Sequence, residues 1–383
     1  MQRVDLKIGF KCNNRCEFCV QGDKRARYNP KPLDEIEEKL KEGRARGAQG
    51  VVLTGGEPTV HRTFLDTVRL AKDLGYETIQ IQTNGRMFCY MDFCQKTIEA
   101  GATEFSPALH GSTAELHGFL TGNKDSFLQT VAGIKNLKSL GQYVLTNTVI
   151  TKPNYRDLPD LAKLLVALDV DQFQLAFVHV AGSADKNREW LVPRKALVEP
   201  WVKSALSIGL RAGKIVMTEA IPYCRMKGFE TCVAESIIPE TTVFDAEGTI
   251  DSYTQTRLDD GKARREECEK CIYFKHCEGP WREYPDIYSW EEFEPILHGT
   301  PVLRSQNTQA PASIEMCQVV ELDDTELIEL PPSEKPVAPA VHASVLADLP
   351  QENSSPSEAV WEEDEESGGS GEAVAAGGGS DHE

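Results

Sequence analysis

The sequence predicts an α/β protein in which a parallel sheet is covered by helices. Three observations predict it. Runs of strand length alternate with amphipathic helical stretches from residue 4 to about 180. Most of the strand runs are apolar throughout, as strands buried on both faces must be. Glycine or another turn former stands at most of the junctions. Six such units are too few for a closed eight-stranded barrel, so a partial (β/α)6 TIM-type barrel fits. A doubly wound open sheet fits the same periodicity.

In order, the first strand covers 4–10 and runs into Cys12. Residues 33–40 place apolar groups three and four apart, the helical period. The apolar run 50–54 closes on Gly55-Gly56. Residues 64–74 read as a helix stopped by Gly75, and 78–83 alternate as a strand up to the turn Asn84-Gly85. The pattern repeats with helix 93–100, strand 105–109, helix 126–140, strand 143–150, helix 158–168 and a sixth strand, 172–180. A helix at 196–211 and a short strand at 214–218 lead to a second cysteine region, Cys224 to Cys277. Past Gln318 the chain is rich in Pro, Ser, Glu and Gly. Such a composition cannot bury enough apolar area to offset its ordering entropy, so 319–383 is expected to be disordered. The expected division is 1–212 barrel, 213–300 small cysteine-rich domain, 301–318 boundary segment and 319–383 acidic tail.

Charge follows that division. The formal net charge is −19, yet residues 321–383 hold 17 acids against one base, Lys335. The rest is nearly neutral and shows no basic cluster, which argues against nucleic-acid binding. Eleven cysteines could belong to a secreted disulfide scaffold, but those are short and cysteine-dense. Here they cluster at metal-ligand spacing in a long chain, so a reducing cytoplasm is expected. No signal-peptide pattern opens the chain and no apolar run is long enough to span a membrane.

Cys12, Cys16 and Cys19 give C-x3-C-x2-C directly after the first strand. A structural zinc ion takes four donors, and an ordinary iron–sulfur cluster takes four thiolates. A cluster on three thiolates keeps one iron open for chemistry. Half of a zinc site, or simply buried thiols, are the plainer readings. One strand later comes Gly55-Gly56-Glu57-Pro58, where two glycines let the backbone approach a ligand and Glu57 adds charge. It also reads as an ordinary turn with Pro at the first helical position. Asn84, Ser106 and Asn147 lie at or near later strand ends, where parallel α/β sheets gather function. Each has a plainer role: a turn, a strand end, a satisfied polar group. His110 and His117 read first as structural histidines, and Cys89 and Cys94 as buried thiols.

Together these motifs resemble the signature of the radical S-adenosylmethionine (radical SAM) superfamily, and Phe18 before the last cysteine fits it as well. The resemblance spans about residues 4–285 and implies the partial barrel. It implies a [4Fe-4S] cluster on Cys12, Cys16 and Cys19 whose open iron chelates S-adenosyl-L-methionine. One electron then splits the sulfonium to methionine and a 5′-deoxyadenosyl radical, which abstracts hydrogen from substrate. It also implies that the Gly55–Pro58 run contacts the methionyl amino group, and that Asn84, Ser106 and Asn147 lie near the ribose and carboxylate. An electron donor such as flavodoxin or ferredoxin would serve the cluster. No catalytic residue is identified.

Cys268, Cys271 and Cys277, spaced C-x2-C-x5-C, resemble the auxiliary-cluster domain called SPASM or its shortened form, Twitch. With Cys224 they would hold a second [4Fe-4S] cluster; zinc is the alternative. Cys232 competes for the place of Cys224, and His276 is a substitute donor. Two family cysteines are missing: Trp281 and Tyr253 stand in their places, which implies one auxiliary cluster rather than two. Cys317 reads as incidental. The resemblance points to peptide modification or cofactor maturation, with a small-molecule dehydrogenase and a non-enzymatic iron–sulfur or zinc module as alternatives. A molybdopterin-precursor synthase fits less well, because those relatives end on Gly-Gly and four residues follow Gly377-Gly-Gly379 here.

Overall fold

A computed structural model describes residues 2–304. The acidic tail, Cys317 and most of the boundary segment lie outside the described residues. Nine strands form one sheet: β1 (Gln2–Gly9), β2 (Gly50–Gly55), β3 (Thr78–Thr83), β4 (Glu104–Pro107), β5 (Tyr143–Ile150), β6 (Gln172–Phe177), β7 (Ile215–Glu219), β8 (Glu240–Asp245) and β9 (Gly248–Ile250). Their order is β7-β6-β5-β4-β3-β2-β1-β8-β9. Every neighbouring pair is parallel except the β8–β9 hairpin.

Strands β1 to β7 follow one another without reversal. A doubly wound sheet reverses its order at a switch point, so the barrel-type winding is the one adopted. Charge placement shows the curl. Arg3 on β1 lies within electrostatic reach of Glu104 on β4 and Glu219 on β7. In a flat sheet β1 and β7 would stand about 29 Å apart, six spacings of about 4.8 Å. Rolling the sheet brings them together.

Val4, Leu6 and Ile8 of β1 are buried in the main core, while Arg3, Asp5 and Lys7 alternate on the opposite face. Helices Leu33–Ala45, Phe64–Asp73, Met91–Ala100, Ser126–Ser139, Leu158–Ala167 and Lys195–Arg211 occupy the crossovers. Three strands exceed the six expected in the barrel part. β7, the short strand expected at 214–218, pairs with β6 along its length, β8 pairs with β1 and β9 with β8, so the chain beyond residue 212 continues the same sheet. Helix Ala114–Thr121 was also not expected; it is short and carries Gly118, although Thr113 caps it by accepting from the Leu116 N–H. Among the described residues no helix is long and apolar enough to cross a membrane.

Candidate active site

The chain leaves β1 at Gly9 and passes through the three cysteines without regular structure, so its shape is set by neighbours. The Arg15 N–H donates to the Thr121 carbonyl (2.8 Å) and the Glu17 N–H to the Leu120 carbonyl (3.0 Å). These satisfy carbonyls that the end of helix Ala114–Thr121 leaves open. From the other side the Ser183 N–H donates to the Cys19 carbonyl (2.9 Å), and Asn187 Nδ2 donates to the Glu17 carbonyl (2.9 Å) and carboxylate (3.0 Å). Buried Asn14 accepts from Arg25 on its carbonyl (2.6 Å) and from Arg86 on Oδ1 (3.0 Å). Phe18 packs edge-on against His110, ring centroids 4.6 Å apart. Sequence reasoning missed Arg25, Arg86 and Asn187. Only Arg86 had a signal: it follows Gly85, whose φ of +81° turns the chain back over the loop.

Burial pushes the Cys12 thiol up to about 11. Cys16 rises further, through burial first and then the charges Cys12 and Cys19 would carry. Cys12 and Cys16 thus resist ionisation; a coordinated metal reverses that cost by deprotonating them. The Asn14 N–H lies 3.4 Å from Cys12 Sγ and Asn84 Nδ2 lies 4.0 Å from it, both as donors to sulfur. Among the described residues no three Cys, His, Asp or Glu side chains converge on a point that one ion could occupy. Zinc needs its donors at about 2.3 Å from one ion. In an iron–sulfur cluster each protein thiolate binds its own iron, so the donors stand farther apart than around one ion. A set of three soft thiol donors fits a cluster.

At the end of β2 the glycines serve the cysteine loop itself. A Cβ on Gly55 (φ +128°) would lie 2.0 Å from the Gly9 carbonyl oxygen, and one on Gly56 would lie 2.3 Å from those of Phe10 and Lys11. The Gly56 and Glu57 N–H groups donate to the Gly9 and Lys11 carbonyls, each at 2.8 Å. Glu57 is buried with both oxygens engaged. Oε1 accepts from the Thr59 N–H (3.1 Å), Thr59 Oγ1 (2.5 Å) and Thr83 Oγ1 (2.6 Å), and Oε2 accepts from the Asn84 N–H (2.5 Å). Burial raises its pKa and those donors oppose the rise. The carboxylate thus caps the single turn Pro58–Val60 and ties β2 to β3. Pro58 takes the first helical position, as the plainer reading had it.

Asn84 joins the same network: Nδ2 donates to Asn13 Oδ1 (2.6 Å) and Oδ1 accepts from the Arg86 N–H (3.0 Å). Ser106 is buried on β4 beside Gln82. Asn147 pairs with Gln174 on β6, and its buried Oδ1 has no partner. An unpaired acceptor at this depth suits a ligand that brings a donor. His110 and His117 are structural. His117 Nδ1 accepts from the His110 N–H (3.1 Å), and His110 Nδ1 accepts from the Val149 N–H (3.2 Å). Cys94 is buried against the Phe88 carbonyl.

Cys224, Cys268, Cys271 and Cys277 line one pocket, whose walls include Phe274, Trp290 and Phe293. Cys232 and His276 do not line it. Burial pushes Cys224 up to about 12 and Cys277 to about 11, with added repulsion from other cysteines of the four. The Ile296 N–H donates to Cys271 Sγ at 3.4 Å. Trp281 stacks on His179 (3.9 Å between centroids), and Tyr253 lies under the Arg257 guanidinium (5.1 Å). Both side chains are used for packing.

Residues 6–165 match the family model described as the Radical SAM superfamily. With this fold, that stretch is a radical SAM domain. The chain is 30% identical over 190 residues to a "Probable GTP 3′,8-cyclase" of Sulfurisphaera tokodaii, covering 49% of this chain and 59% of that one. It is 32% identical over 184 residues to the protein of the same description from Saccharolobus solfataricus, covering 48% and 58%. The chain thus spans somewhat under three-fifths of the length of the curated relatives it matches. Among solved structures it resembles anSMEcpe with bound AdoMet (TM-score 0.55, 16% identity, 78% of this chain and 93% of that one). It also resembles Streptococcus suis SuiB bound to precursor peptide SuiA (TM-score 0.53, 16% identity, 73% and 71%). At such identities the likeness is one of fold.

Proposed function

We propose that the chain is a radical SAM enzyme of the cofactor-maturation kind. The observation that carries this is the cysteine loop: three half-buried thiols held at the carboxyl end of β1 by the glycine turn of β2 and by Asn84 after β3. Cys12, Cys16 and Cys19 would hold a [4Fe-4S] cluster. When bound, that cluster supplies the electron that splits S-adenosyl-L-methionine to a 5′-deoxyadenosyl radical. Gly55 and Gly56 set how close the loop lies to β2, and Asn84 orders Asn13 beside Cys12. Asn147 offers an unpaired acceptor, and Ser106 lies on the intervening strand. Glu57 acts by positioning Asn84 and Thr83, since its oxygens are already engaged. The relatives' description favours cofactor maturation over peptide modification and makes GTP the first substrate to try.

The four-cysteine cavity supports an auxiliary cluster domain over about residues 213–300, with Cys224, Cys268, Cys271 and Cys277 as ligands. After anaerobic reconstitution the chain should hold about eight irons, four per cluster, and the Cys268→Ser/Cys271→Ser variant about four. A protein that takes up zinc alone, or equal iron in both forms, would contradict the assignment.

A further inference from the structure

We infer that Glu219, with Gln174 and Tyr253, forms a substrate subsite inside the barrel for a group that presents neighbouring N–H donors, as a guanine base or a guanidinium does. The inference rests on the radical SAM reading, since that chemistry places the substrate at the carboxyl ends of the barrel strands.

Strand β7 sets the direction. Val216 and Phe173 face the helices: a Cβ on Gly209 of helix Lys195–Arg211 would lie 2.4 and 2.5 Å from their side chains. Alternation then turns Gln174 on β6 and Glu219, the last residue of β7, into the barrel. Gln174 stands in register with Asn147 on β5 and Met217 on β7. The subsite therefore begins one strand beyond the residue assigned to S-adenosyl-L-methionine. Just past Glu219 the backbone is strained. Ala220 has φ +59°, a left-handed value that is costly for a residue with a Cβ, and its N–H donates to Glu235 Oε1 (2.7 Å). Strain held in place by a carboxylate at a strand end marks a position whose direction matters.

The acids around Glu219 are provided for, and Glu219 is not. Asp5 is paired with Lys7 (3.4 Å), Glu278 with Arg257 (2.7 Å) and Glu235 with Lys262 (3.5 Å). Glu104, at the start of β4, has Arg3 within electrostatic reach. Glu219 accepts from the neutral Gln174 amide on Oε2 and forms no ion pair among the described residues. Two guanidiniums act on it from farther off. Arg257 is committed to Glu278 by two hydrogen bonds, and Arg3 makes no ion pair with Glu219. Oε1 is left inside the barrel without a donor. Glu235, within electrostatic reach and only 5% exposed in its side chain, keeps its own Oε2 unpartnered. Tyr253 stands in the same field: burial, then the Glu219 charge, pushes its phenol up to about 12. Among the described residues nothing bonds to that hydroxyl. A carboxylate oxygen and a neutral phenol left open together suit a ligand edge that carries N–H donors beside an acceptor.

The test measures binding by calorimetry to the reconstituted full chain loaded with S-adenosyl-L-methionine. The probes are GTP against ITP, which lacks the 2-amino group, and N-acetylarginine amide against N-acetylnorleucine amide. A preference in the first pair identifies a nucleotide, and one in the second a peptide side chain. Wild type should favour the donor-bearing member of one pair by about tenfold or more, the loss expected when a charged acceptor is left without its donor. Glu219→Gln should remove most of that preference, and Glu219→Asp, which keeps the charge but draws it back, should retain part of it. Circular dichroism and iron content report whether each variant is folded. No preference in either pair, or an undiminished preference in either folded variant, would overturn the subsite while 5′-deoxyadenosine is still released. No 5′-deoxyadenosine from wild type would instead overturn the radical SAM reading and the subsite with it.

Discussion

Glu57 has the charge to meet a ligand ammonium, yet four donors hold both its oxygens in place. Its residue type was legible in the sequence; its duty was not, because hydrogen bonds to Thr83 and Asn84 join residues 26 and 27 apart. His117 gives a sharper residue-scale prediction. Burial, then the Arg86 charge, lowers its pKa to about 3, and burial takes His110 well below the usual value. Below about pH 6.5 the unfolded chain therefore binds protons that the folded chain refuses. Stability from these groups is complete above pH 6.5 and is lost as pH falls toward 3. For His117 alone the loss between pH 6.5 and 5 is about 2 kcal/mol. Denaturant unfolding at the two pH values should show the fall, and His117→Gln should shrink it by roughly that amount. An equal fall in both proteins would contradict this account of the histidine stacked behind His110.

At the scale of elements, the strand ends carried the signal. The run 143–150 was read with the bounds the structure gives, and C-x3-C-x2-C, G-G-E-P and Asn84 all fall just past β1, β2 and β3. Strand patterns are local, so sequence shows them. The packing of Gly55 and Gly56 against residues 9–11 is not local, and the glycines looked like ligand-contacting groups. Their steric role yields a prediction. Gly56→Ala puts a methyl where two carbonyl oxygens stand at 2.3 Å, so the cysteine loop must move. The variant should keep its circular dichroism and the iron of the second site, yet lose most of the iron held by Cys12, Cys16 and Cys19. Full iron content would show that the loop has room to spare.

For the whole molecule, the sequence revealed strands β1 to β7 but not how the last of them join the sheet. β7 pairs with β6, and β8 joins β1 across more than 230 residues. No periodicity encodes that partnership, because register across so long a loop depends on the rolled shape of the sheet. The result is one continuous sheet with the cysteine loop at the carboxyl end of β1 and the four-cysteine cavity in the chain beyond β7. The central claim is that three thiols, not four, serve the first centre, and that its purpose is to cleave S-adenosyl-L-methionine. The direct measurement is 5′-deoxyadenosine released by the anaerobically reconstituted chain with a strong reductant. Wild type should release it and Cys16→Ala should release almost none. No release from wild type, or an undiminished yield from Cys16→Ala, would contradict the account.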